Sequence, residues 1–90
     1  MEINLNNIRE TYGDNVIISI SDNIDDVMEN IEYLKKLNFT DTEDIFEKYA
    51  IIFLDMPSEF KRKIEKLIKE IGHNYVEVIE NDLSILEKLL

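Results

Sequence analysis

Cysteine is absent from this 90-residue chain, which excludes disulfides, thiol chemistry and cysteine-ligated zinc. His73 is the sole histidine, so zinc cannot be anchored by ordinary ligands either. Glycine stands only at Gly13 and Gly72, too sparse for a phosphate-cradling loop, and none of Ser19, Ser21, Ser58 and Ser84 lies in a Gly-x-Ser-x-Gly context. Catalysis and cofactors are therefore not expected. With one proline, Pro57, and no Pro/Gly/Ser-rich tract, nothing reads as a linker, and a single domain over 1–90 follows. Long apolar runs are missing too: the longest, Ala50 to Leu54, is too short to span a membrane. Met1 is followed by Glu2 and asparagines instead of a basic segment and an apolar stretch, so no signal peptide is expected, and the location read from the sequence is cytoplasmic.

Positive charge is the other scarcity. Ten Lys and Arg stand against 20 Asp and Glu, a formal net charge of −10. Such a surface repels nucleic-acid phosphates and anionic membranes and attracts basic proteins. One segment departs from this: residues 61–72 hold 5 bases and 2 acids.

What is present is helical periodicity. Ile24, Val27, Met28, Ile31, Leu34 and Leu37 recur at i, i+3, i+4 spacing, with Ser21 or Asp22 as the expected cap and Asp25 and Asp26 in the first turn, where the helix dipole favours acids. Asn38 is placed to stop this helix, because asparagine tolerates the left-handed conformation. Thr40-Asp41-Thr42-Glu43 has the form of a capping box opening a second helix through Ile45, Phe46, Tyr49, Ile52 and Phe53. Pro57 redirects the chain, and Phe60, Ile64, Leu67, Ile68 and Ile71 mark a third helix closed by Gly72. Asn74 to Glu77 repeats the cap pattern, and Ser84 to Leu90 forms a last apolar helix. Near the start, Leu5, Ile8 and Tyr12 suggest a short helix that Gly13 ends.

These segments echo one another at a spacing of 34 residues. Leu34 aligns with Ile68, Asn38 with Gly72, Glu43 with Glu77, Ile45 with Ile79 and Ile52 with Leu86. A fixed period of this length marks stacked helical units, each with an apolar face that only a neighbour can cover. The expected architecture is all-α, with units at about 21–55 and 56–90 and a partial unit at 1–20. A three-stranded α/β fold stays open beside it, because Val16 to Ile20 alternates and is rich in β-branched residues, and Ala50 to Leu54 and Tyr75 to Glu80 could join it.

The segment Ser21 to Ile24, continued by Tyr33-Leu34-Lys35-Lys36-Leu37-Asn38-Phe39 and by Thr42 to Leu54, resembles the repeat of the mitochondrial transcription termination factor (mTERF) family. Ile64 to Gly72 restarts the motif. Ala50 takes the place of the usual proline, and Asn38 that of the usual glycine, which Gly72 restores in the second unit. The resemblance implies an all-α superhelix of about two and a half units in which Val16 to Ile20 and Ile51 to Leu54 are helix ends and 3₁₀ turns. It also implies a basic face that binds DNA or RNA.

Two surfaces are candidates for function. Asp22, Asp25, Asp26, Glu29 and Glu32 form an acidic ridge fitted to a basic protein partner, against the plainer reading that they cap a helix and keep the protein soluble. Arg62, Lys66 and Lys69, opposite the apolar stripe of their helix, together with Lys61 and Lys63, are the alternative, a nucleic-acid-binding face; the plain reading there is a solvated helix surface. Asp22 to Asp26 does not make a calcium loop, since the central glycine is missing and Tyr33 stands where the bidentate glutamate belongs. Tyr33, Phe46, Tyr49, Phe53 and Phe60 read as core instead of base-stacking platforms. Leu83, Ile85, Leu86, Leu89 and Leu90 leave an apolar end that a second copy of the chain could cover, giving a homodimer.

Overall fold

Gly13, Asn38, Pro57 and Gly72, singled out as punctuation, each stand at the end or start of a helix. The computed structural model describes residues 5–90, and the polar start at Met1 and Glu2 lies outside the described residues. Six α-helices follow one another: α1 Leu5–Tyr12, α2 Asp14–Asp22, α3 Ile24–Lys36, α4 Thr42–Lys48, α5 Pro57–Ile71 and α6 Tyr75–Asn81. A 3₁₀ segment at Ala50–Leu54 follows α4, and a second at Leu83–Leu89 follows α6. No strand occurs among the described residues, so the three-stranded alternative is set aside.

The correction is clearest in α2. Alternation at Val16, Ile18 and Ile20 would face one side of a strand, but the helix instead turns Val16, Ile17 and Ile20 toward the core and leaves Ile18 56% exposed. Packing decides a short β-branched run that propensity alone assigns to a strand. Gly13 separates α1 from α2 at φ 91°, a conformation that L side chains rarely adopt.

The cap expected at Ser21 or Asp22 is also displaced, because both residues close α2. Asn23 caps α3 instead, its carbonyl accepting from the Val27 amide while its side chain turns back to the Ser19 carbonyl at 2.9 Å. At the other end of α3, Asn38 has φ 76° as expected. The amides of Asn38 and Phe39 donate to the carbonyls of Lys35 and Leu34 at 3.0 and 3.2 Å, a Schellman closure in which Phe39 and Leu34 are both buried.

The capping box at Thr40 does not form. Helix α4 starts at Thr42 after Asp41, with no side-chain cap, and Thr40 bonds across to Glu80 of α6. Asn74, the matching residue before α6, makes no side-chain cap either. At Pro57 the chain enters α5 on its first residue, where the missing amide proton costs nothing.

Helix α3 packs on α5, on α4 and on the first 3₁₀ segment, and the core lies among them. An aromatic relay joins these elements: Phe46 to Phe53 at 5.2 Å between ring centres, Phe53 to Phe60 at 5.1 Å, and Phe60 to Tyr33 edge-on at 6.3 Å. The expectation that the aromatics are core holds, with all three phenylalanines buried and Tyr33 and Tyr49 half-buried. One polar side chain sits among them. Asn30 is fully buried and donates through Nδ2 to the carbonyls of Phe53 and Asp55 at 3.1 and 3.0 Å, pinning the exit of the 3₁₀ segment. Its Oδ1 has no partner among the described residues.

Candidate functional site

The five acids of the predicted ridge differ in their partners. Asp22 is the last residue of α2, while Asp25, Asp26, Glu29 and Glu32 lie on α3. Glu29 faces Lys61 of α5 at 3.8 Å, and Glu32 pairs with Lys35 at 3.4 Å. Asp22, Asp25 and Asp26 make no ion pair among the described residues. With Asn23 and Ile24 they border a shallow depression of about 230 Å³, and Ile24 is 42% exposed in their midst. The unbalanced part of the ridge is thus its N-terminal end. No group of residues able to hold a metal ion is found among the described residues.

The basic stripe is divided as well. Lys61 leans toward α3, its ammonium 5.6 Å from the centre of the Tyr33 ring. Arg62 donates to Glu59 at 2.8 Å, which holds the Glu59 carboxyl below its ordinary pKa and raises that of Arg62 through the same bond. Lys66 and Lys69 are exposed and make no ion pair among the described residues.

Between α5 and the last 3₁₀ segment lies a cleft of about 320 Å³. Arg62, Lys63 and Lys66 approach it from α5, and Lys88 from the 3₁₀ segment. Leu67, Leu89 and Leu90 supply its apolar side, and Glu70 is the one carboxylate side chain on its wall. Lys63 is tied to Asp55 at 2.7 Å, whereas Lys88 reaches Glu70 only at 4.0 Å. Sequence spacing places Arg62, Lys63 and Lys66 on neighbouring turns of one helix, but it holds no signal for Lys88, which arrives from another element 22 residues after Lys66.

The apolar end of the chain is largely consumed by its own fold. Leu86 and Leu89 are buried, Leu83 and Ile85 are half-buried, and Leu90 is 69% exposed. Tyrosines near the helix junctions are held in their neutral form. Burial raises the phenol pKa of Tyr12, with Tyr49 adding to it, and Tyr12 donates its hydroxyl to the Lys48 carbonyl. Burial also raises Tyr33 and Tyr49, the latter reinforced by Glu87 and Asp82.

No protein-family model, curated protein or solved structure matches this chain.

Proposed function

We propose that this chain is a non-enzymatic binding module, a short mTERF-like helical-repeat array that engages a basic segment of a partner protein through the start of α3. Support for the repeat comes from register. Shifting by 34 residues carries α3 (Ile24–Lys36) onto α5 (Pro57–Ile71), α4 (Thr42–Lys48) onto α6 (Tyr75–Asn81), and the first 3₁₀ segment onto the second. The same shift carries Asn38, φ 76°, onto Gly72, φ 107°. It also superposes buried Ile45 on Ile79 and Ile52 on Leu86.

The observation that carries the binding reading is the trio Asp22, Asp25 and Asp26, carboxylates without counter-ions among the described residues, around the exposed Ile24, on a chain of net charge −10. Long-range attraction would bring a lysine- or arginine-rich segment to this end, and an apolar side chain of that segment would cover Ile24. A partner that handles nucleic acid presents such a basic segment, and occupying it would modulate that partner's activity. Direct binding of DNA or RNA through Lys61, Arg62, Lys66 and Lys69 has less behind it, since Lys61 and Arg62 already face Glu29 and Glu59.

Fluorescence anisotropy with a labelled lysine-leucine peptide tests the reading. Saturable binding that weakens at least tenfold in the D22K/D25K/D26K variant and falls steeply with salt is expected. Equal binding by that variant would overturn it, and tight salt-dependent binding of an oligonucleotide, lost on reversing Lys66 and Lys69, would favour the alternative.

A further inference from the structure

We infer that the cleft between α5 and the Leu83–Leu89 segment binds a small organic phosphate monoester. Four cationic side chains line it against one carboxylate side chain, on a molecule where acids outnumber bases two to one. Three of the cations come from neighbouring turns of a rigid helix, and the fourth closes the far wall.

Their existing partners leave charge to spare. Asp55 and Glu59, off the cleft wall, neutralise Lys63 and Arg62, so the uncommitted charge there rests on Lys66 and Lys88. Lys66 has no counter-ion among the described residues, and Lys88 is 4.0 Å from Glu70, the limit of an ion pair. A dianion entering the cleft would recruit Lys66 without breaking any bond and draw Lys88 inward at small cost. Charge-assisted bonds from ammonium groups to phosphate oxygens are short and strong. The acids elsewhere on the chain oppose entry weakly, because at about 0.1 M salt a charge more than about 10 Å away is largely screened.

Size and polarity narrow the class. A cavity of about 320 Å³ lies at the lower end of small-molecule sites, which start at about 300 Å³. Leu90, 69% exposed, and the edges of the buried Leu67 and Leu89 give it an apolar side that inorganic phosphate would leave uncovered and an organic group would fill. A phosphate monoester has both halves, whether it is a soluble nucleotide or the headgroup of phosphatidic acid. This site is independent of the acidic end of α3 and stands or falls separately from it.

Amide chemical shifts of the ¹⁵N-labelled protein, titrated at low salt with adenosine monophosphate, inorganic phosphate and adenosine, provide the test. Flotation with phosphatidylcholine vesicles, with and without phosphatidic acid, is the lipid arm. Saturable shifts centred on Lys63, Lys66 and Lys88 with the monophosphate, weaker with phosphate and none with adenosine, identify a soluble ester; co-flotation only with phosphatidic acid identifies the headgroup. Either response should weaken at least tenfold in K66E/K88E and persist in K36E, a reversal outside the cleft, with the circular dichroism of all three proteins alike. Two outcomes overturn the inference: no response in either arm at millimolar phosphate, or a response that K66E/K88E leaves intact.

Discussion

Thr40 donates its hydroxyl to Oε2 of Glu80 at 2.7 Å and its amide to Oε1 at 3.2 Å, so a residue with the sequence signature of a local cap instead ties the α3–α4 connection to α6, 40 positions away. Replacing Thr40 with Val, or Glu80 with Gln, should lower stability, and a double-mutant cycle should return a coupling of about 1 kcal/mol. Urea unfolding of the four proteins measures it. Zero coupling would mean that the contact adds nothing in solution.

Asn30→Leu removes the donor that holds the carbonyls of Phe53 and Asp55. Two acceptors would lose a buried partner, and the loss should be about 2 kcal/mol despite the added apolar surface. Chemical denaturation provides the value, and a gain in stability would contradict the role given to Asn30.

Phe53→Ala cuts the aromatic relay at its centre, where the ring lies 5.2 Å from Phe46 and 5.1 Å from Phe60. A large cavity in so small a core should cost about 4 kcal/mol, enough to leave much of the chain unfolded at room temperature. Ile18→Ser, on the exposed face of α2, should change stability by less than about 0.5 kcal/mol. A strand at this position would reverse that insensitivity, so the pair discriminates between the two folds by calorimetry alone.

Asn38 occupies the left-handed region that glycine enters freely. Asn38→Gly should be neutral or slightly stabilising, and Asn38→Ala should cost about 1 kcal/mol. Melting temperatures compare them, and equal values for both variants would contradict the φ of 76°.

Tyr12, Tyr33 and Tyr49 all have phenols raised chiefly by burial. A group whose folded pKa exceeds its unfolded value contributes stability that is fully present below the unfolded value, about 10 for tyrosine, and is lost as pH rises through the folded value. Stability should therefore decline above about pH 10, with tyrosine ionisation followed near 295 nm lagging behind that of the urea-unfolded chain. Coincident titrations of folded and unfolded protein would count against it.

Much of this architecture could be read in advance from strong, local signals. The apolar stripes of α3 and α5 are long and regular, and Gly13, Asn38, Pro57 and Gly72 act through their own backbone preferences. Failures arose where distant residues decide. Val16 to Ile20 became helical because a neighbouring core accepts Val16, Ile17 and Ile20, and Thr40 abandoned its capping box because Glu80 lies within reach. The candidate sites divide in the same way: helical spacing groups Asp25, Asp26 and Glu29, but nothing in the spacing assigns Glu29 to Lys61 or brings Lys88 beside Lys66.

The hold of Asn30 on the Phe53 and Asp55 carbonyls has a consequence for motion. A five-residue 3₁₀ turn has little rigidity of its own and would ordinarily fray ahead of its neighbours. Here it is clamped from the middle of the 13-residue helix α3, so releasing the connection into α5 disturbs α3 as well. Hydrogen exchange should report α3, the turn and the first residues of α5 opening as one cooperative block, leaving the chain no soft hinge at its midpoint.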